Sequence, residues 1–190
     1  MKPYKIRIDD VLQVNPASKW QRLAWKEKSP FEWFKETDEI IKKYKLHCIL
    51  AVLSEGIDEY PKWVSYIKRR KKRYQIELHG SSHKNYLKLT EEELEQDLIE
   101  ARDKIEKTFK TKITTWYVPW GRKQQNLYGK KICRKLRLKY GVPKGRQDIL
   151  TYLWVKKYRP NHRFTSNEFN IHFWSAKEIS KLEEFIKTWK

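Results

Sequence analysis

The eight residues Leu46–Leu53 (LHCILAVL) are almost uninterruptedly apolar. A run this short and uniform reads as a strand covered on both faces. Such a strand needs a helix on each side, and the chain supplies them. Phe31–Tyr44 places Phe34, Ile40, Ile41 and Tyr44 on one stripe, and Glu59–Lys72 is again helical, with Pro61 in its first turn. The same alternation runs from end to end. Tyr4–Ile8 is a strand that stops at Asp9-Asp10, and Tyr74–Leu78 is a strand that runs into His79. Thr90 and Glu93 form a capping box before Leu94, Leu98, Ala101 and Ile105. Ile113–Tyr117 is a strand halted at Pro119-Trp120-Gly121, and Leu127–Leu138 is a basic helix ended by Tyr140-Gly141. Ile149–Val155 and Phe169–Phe173 are the sixth and seventh apolar runs, and Ser175 with Glu178 opens a last helix. The pattern predicts an α/β protein with about seven mostly parallel strands.

At 190 residues, with 6 Gly and 7 Pro, the chain has room for one core and no linker, so residues 1–190 are expected to form a single domain. No apolar run near Met1 resembles a signal peptide and none is long enough to span a bilayer, which predicts a cytoplasmic protein. Cys48 and Cys133 lack CxxC spacing and are expected as buried free thiols. The net charge of +19 favours polyanions, whether nucleic acid, acidic polysaccharide or an anionic membrane face. The densest cluster, Lys68–Arg73 (KRRKKR), follows Trp63, Val64 and Ile67. It reads first as a solvated helix end, where cations suit the dipole, and second as a polyanion dock.

In parallel sheets, function gathers beyond the strand C-termini. Asp9-Asp10, His79, the Pro-Trp-Gly turn and His172 all fall there, from four remote segments. His79 and His83 stand four apart, a spacing that on one helical turn lets two imidazoles hold one ion. That pair alone is common without any ligand. An acidic pair at another strand end makes a two-His, one-carboxylate centre for Zn2+ or another first-row ion. Adjacent carboxylates on a strand point to opposite sides, so one can bind metal while the other takes a proton. An Asp pair capping the next turn explains them equally well. His172, in FNIHFW, is either a core histidine or a catalyst.

These segments resemble the motifs of the polysaccharide deacetylase (NodB-like, carbohydrate esterase family 4) superfamily. IRIDDV at Ile6–Val11 is similar to its first motif, ELHGSSH at Glu77–His83 to its second, WYVPWG at Trp116–Gly121 to its third and NIHFW at Asn170–Trp174 to its fifth. The resemblance implies a distorted (β/α) barrel and a metal-dependent amide hydrolase that deacetylates an N-acetylated sugar or glycan, an anionic one if the basic surface takes part. By that resemblance Asp10, His79 and His83 bind a divalent transition metal, Zn2+ first, with Co2+, Ni2+ or Fe2+ as alternatives. Asp9 is then the general base, His172 the general acid, and the Trp120 N–H the oxyanion donor. Tyr117 stands where the family has an Arg that pairs with the base; Arg7, two residues before Asp9 and on the same strand side, or Arg122, is the candidate replacement. Asp148 and Trp154 do not make a convincing fourth motif. Two other readings stay open: a same-fold hydrolase of another amide bond, and a basic nucleic-acid-binding protein without catalysis.

Overall fold

The computed structural model describes residues 5–120, 126–141, 149–158, 168–171 and 176–189. Six strands form one sheet in the order β5-β4-β3-β2-β1-β6: β1 (Lys5–Val11), β2 (Cys48–Leu53), β3 (Tyr74–Gly80), β4 (Thr115–Tyr117), β5 (Lys139–Gly141) and β6 (Glu168–Ile171). Pairing of β1 with β6, of β3 with β4 and of β4 with β5 is parallel. Every residue of β2 is buried, as its apolar run requires. The packing divides into two compact units, and the division falls inside β1 and β2: one unit is Met1–Asp9, Pro16–Ile49 and Lys144–Lys190, the other Asp10–Asn15 and Leu50–Pro143.

The first unit holds helices α1 (Lys19–Glu27) and α2 (Pro30–Lys43). Both start at serine capping boxes, Ser18 with Gln21 and Ser29 with Glu32, and α2 adds Pro30 in its first turn. Trp33, fully enclosed, donates its indole N–H to the Ala24 carbonyl at 3.2 Å. Ile149–Tyr158 is a helix, α7, where the apolar run Ile149–Val155 predicts a strand. Periodicity cannot separate a buried helix from a buried strand in so short a run, and its continuation to ten residues favours the helix. α8 (Ala176–Trp189) buries Leu182, Phe185 and Ile186; Phe185 packs against Phe169 of β6 at 5.2 Å between ring centroids.

The second unit carries α3 (Gly56–Glu59), α4 (Pro61–Arg69), α5 (Glu91–Phe109) and α6 (Gly129–Lys135). The Thr90–Glu93 capping box opens α5, and Leu94, Leu98, Ala101, Ile105 and Phe109 are its buried stripe. The helix expected over Leu127–Leu138 is shorter, and Lys139–Gly141, expected as its end, pairs with β4 as a strand. A buried carboxylate joins β3 to β4: Glu77 accepts the Thr114 and Thr115 backbone N–H groups at 2.9 and 2.7 Å and the Thr114 hydroxyl at 2.6 Å. Trp116, fully buried, lies between the rings of Tyr86 and Tyr140. Cys48 and Cys133 are free and buried, and burial pushes both thiols up to about 12. Among the described residues no helix is long and apolar enough to cross a membrane.

Candidate metal centre

Asp10, His79 and His83 come together in the second unit. The Nε2 atoms of His79 and His83 each stand 3.2 Å from the same oxygen, Oδ1 of Asp10, and one donor atom from each of the three residues lies within 4.8 Å of the others. Asp10 reaches this position through a positive φ of 60°, a region that Asp tolerates better than most residues. The two histidines meet by a different route from the helical turn their spacing suggests. His79 ends β3, Gly80 turns the chain at φ 132°, and the loop then swings His83 back. That φ belongs to glycine, and a Cβ at Gly80 would stand 1.9 Å from the Tyr86 hydroxyl.

His79 Nδ1 donates to the Tyr117 carbonyl oxygen at 2.6 Å, because a carbonyl can only accept. A neutral His79 therefore presents its Nε2 lone pair to a carboxylate oxygen. A proton or a metal ion between that lone pair and the carboxylate oxygen relieves the contact. Two nitrogens and one oxygen are also the ligand types that zinc and its first-row neighbours take, and the Tyr117 carbonyl is the outer contact that fixes a ligating imidazole. The residues fit a divalent transition ion.

Around this cluster the structure adds residues that the sequence reading did not select. Asp97, on α5, is buried and accepts the Ser81 hydroxyl at 2.5 Å and the Tyr86 hydroxyl at 3.0 Å, with an ion pair to Lys84. Tyr86 is fully enclosed; burial and then the charge of Asp97 hold its hydroxyl well above the ordinary tyrosine range. Ser81, Ser82 and Lys84 flank or separate the histidines, so α5 pins the ligand loop through Asp97. The signal was present in sequence as an acid on the otherwise apolar stripe of an amphipathic helix. Asp97→Ala leaves those donors unsatisfied and is expected to cost about 3 kcal/mol of stability, against about 1 kcal/mol for Tyr86→Phe; urea unfolding of the two variants checks the ranking. Glu55, directly after Ser54 at the end of β2, accepts the Val14 N–H at 3.1 Å. Burial raises its pKa, against the Val14 N–H and the charges of His83 and Lys84.

Trp120 follows β4 with φ 59°; its ring packs edge-on against His83 at 4.7 Å and is 45% exposed. In the first unit, Arg7 grips Asp9 through both carboxylate oxygens, Nε to Oδ1 at 2.5 Å and Nη2 to Oδ2 at 2.9 Å. Its Nη1 reaches Glu168 at 2.7 Å. His172, Arg122 and Asp148 lie outside the described residues.

The family model described as polysaccharide deacetylase matches residues 27–141, which hold His79, His83 and Trp120 but neither Asp9-Asp10 nor His172. No curated protein sequence matches the chain. Among solved structures it is similar to a CE4 family pseudoenzyme from Bacillus anthracis, with TM-score 0.71 and 13% identity over 99% of this chain and 61% of that one. It is similar to the peptidoglycan deacetylase PdaC from Bacillus subtilis, with TM-score 0.63 and 17% identity over 98% and 83%. It is likewise similar to a family 4 carbohydrate esterase from Streptomyces lividans in complex with acetate, with TM-score 0.66 and 12% identity over 98% and 86%. The chain thus spans less than two thirds of the Bacillus anthracis protein's length. The fold is the one these structures share, and the family match covers more than half of the 190 residues: the chain belongs to the polysaccharide deacetylase family.

Proposed function

We propose that the chain, acting as one catalytic domain, is a metal-dependent hydrolase that removes the acetyl group from an N-acetylated sugar or glycan. The observation that carries the reading is the meeting of His79 and His83 Nε2 at Asp10 Oδ1. Those three residues would hold the ion, Zn2+ in this reading. When bound, such an ion polarises the acetyl carbonyl and makes water acidic enough to be deprotonated near neutral pH. Asp9 takes that proton. Arg7 holds the Asp9 carboxylate in one orientation through both of its oxygens. In this assignment Arg7 supplies the positive charge that Tyr117 cannot. The backbone N–H of Trp120 donates to the carbonyl oxygen as negative charge develops there. His172, assigned by its motif, protonates the leaving sugar nitrogen. The exposed indole of Trp120 beside His83 offers a flat apolar face for a sugar ring.

Incubation with an N-acetylglucosamine oligomer tests the reading. Acetate is expected in stoichiometric yield with free amine, abolished by a chelator and restored by Zn2+. The likeness to a CE4 family pseudoenzyme, together with Tyr117 in place of the arginine, supports a second reading, a metal-holding domain without turnover. Bound metal with no acetate release from any N-acetylated glycan would favour it.

A further inference from the structure

The basic cluster Lys68–Arg73 lies at the opposite end of β3 from the metal centre: it runs from the last turn of α4 into the residue before Tyr74, whereas His79 is the sixth residue of the strand. At about 3.3 Å per residue the two are roughly 20 Å apart. That exceeds twice the Debye length of about 8 Å at physiological ionic strength. The cluster is therefore too far from His79 to steer a substrate into the site by charge.

The neighbouring strands repeat the arrangement. Before β3, Lys68, Arg69, Lys71 and Lys72 are exposed. Before β4, the chain leaves α5 through exposed Lys110 and Lys112. At the start of β5, it leaves α6 through exposed Arg134, Arg137 and Lys139. The three strands are adjacent and parallel; Leu78 pairs with Trp116 and Thr115 with Lys139, so β4 and β5 begin level with Glu77, and the residues that lead into them extend toward the edge where β3 starts. None of these nine side chains forms an ion pair among the described residues, whereas Lys131 and Lys135 of α6 pair with Glu91 and Glu95.

Cations at helix C-termini are ordinary, since each helix end carries roughly half a negative charge. Three helix ends offset only a small part of nine charges. Glu106 and Glu77, which accept backbone N–H groups from Ile113 and from Thr114 and Thr115, keep their charges and offset two of the nine, and Asp103 pairs with Arg102. A positive surplus remains at this edge. Its character narrows the partner. The exposed large apolar side chains of this unit, Leu87, Trp120, Leu127 and Tyr128, follow β3, follow β4 or stand before α6, and among the described residues none lies in the segments that lead directly into β3, β4 or β5. Among the described residues the edge thus presents charge without an exposed large apolar side chain, which disfavours stacking on unpaired bases and insertion into lipid.

We propose that the starts of β3, β4 and β5 form a docking surface for an acidic glycan, separate from the metal centre and able to keep a polymer bound while another stretch of it is processed. The choice of a glycan over other polyanions rests on the proposed deacetylase function; the surface itself does not.

The test compares the whole protein with the combined variant Lys71→Glu, Lys72→Glu, Lys112→Glu and Lys139→Glu. Binding is measured to heparin, polygalacturonate, a short DNA duplex and phosphatidylserine vesicles at several salt concentrations. The wild type is expected to bind the two glycans with steep salt dependence, and the variant about 100-fold more weakly, with an unchanged melting temperature and metal content. Equal glycan affinity in both proteins would overturn the surface, and tighter binding of duplex or vesicles than of either glycan would overturn the occupant. A wild type that docks glycan here yet releases no acetate would contradict the proposed function and leave this surface standing.

Discussion

Asp9→Asn is expected to lower kcat by roughly 10²–10⁴-fold while metal content stays at the wild-type level. The asparagine keeps the shape of the side chain and one acceptor for Arg7, but it cannot take a proton from water. Asp10→Asn is expected to act the other way, weakening metal binding because a neutral amide is a poorer ligand than a carboxylate. The two residues are adjacent, so the contrast isolates role from location. It also tests the motif register: if Asp9→Asn loses metal while Asp10→Asn keeps both metal and turnover, the assignment is wrong by one residue. Paired metal analysis and steady-state kinetics decide it.

Arg7→Ala is expected to carry the largest stability cost of any substitution considered, about 3–5 kcal/mol. Arg7 is 5% exposed, and its guanidinium is the charge partner of both Asp9 and Glu168. Without it the buried Asp9 carboxylate and the half-buried Glu168 both lose the guanidinium that faces them. The effect is separable from simple loss of packing. In a double-mutant cycle with Asp9→Ala, the paired variant should be less destabilised than the sum of the single ones, because the second change removes the stranded charge. Strict additivity in urea unfolding would show that the 2.5 and 2.9 Å contacts of Arg7 carry no coupling.

Much of this arrangement was legible before any coordinates. Alternation of short apolar runs with capped helices specified a parallel α/β sheet, and the reactive residues could be assigned to strand ends because such sheets keep their loops there. The structure brings Asp10, His79 and His83 to one point, but through Gly80 and a loop and not through a helical turn. Residue spacing alone does not distinguish these routes; the positive φ of Gly80 does. Ile149–Val155 reads as a strand yet lies in the helix Ile149–Tyr158 for a physical reason: a continuous apolar run carries no period, so strand and buried helix share one signature. β5 was hidden because three residues, Lys139–Gly141, are too few to show alternation and follow a helix without a break. Asp97 and Glu55 could not be selected by motif. One is an acid on a helix that otherwise reads as core, and the other stands beside Ser54 after β2, at no motif spacing.

The position of the basic cluster is the other point that sequence could not supply. Read along the chain, Lys68–Arg73 stands only a few residues before His79, as if charge and catalysis shared a cleft. In the fold those few residues are the length of β3, which separates them.

In the proposed function Asp10, His79 and His83 hold the ion, and metal analysis of the purified protein is the plainest check. After dialysis against Zn2+ and removal of excess, the wild type should carry about one ion per chain, and His79→Ala and His83→Ala should each lose most of it, because two remaining protein ligands hold the ion far more weakly than three. A wild type that retains no metal, or variants that both retain it in full, would contradict the account.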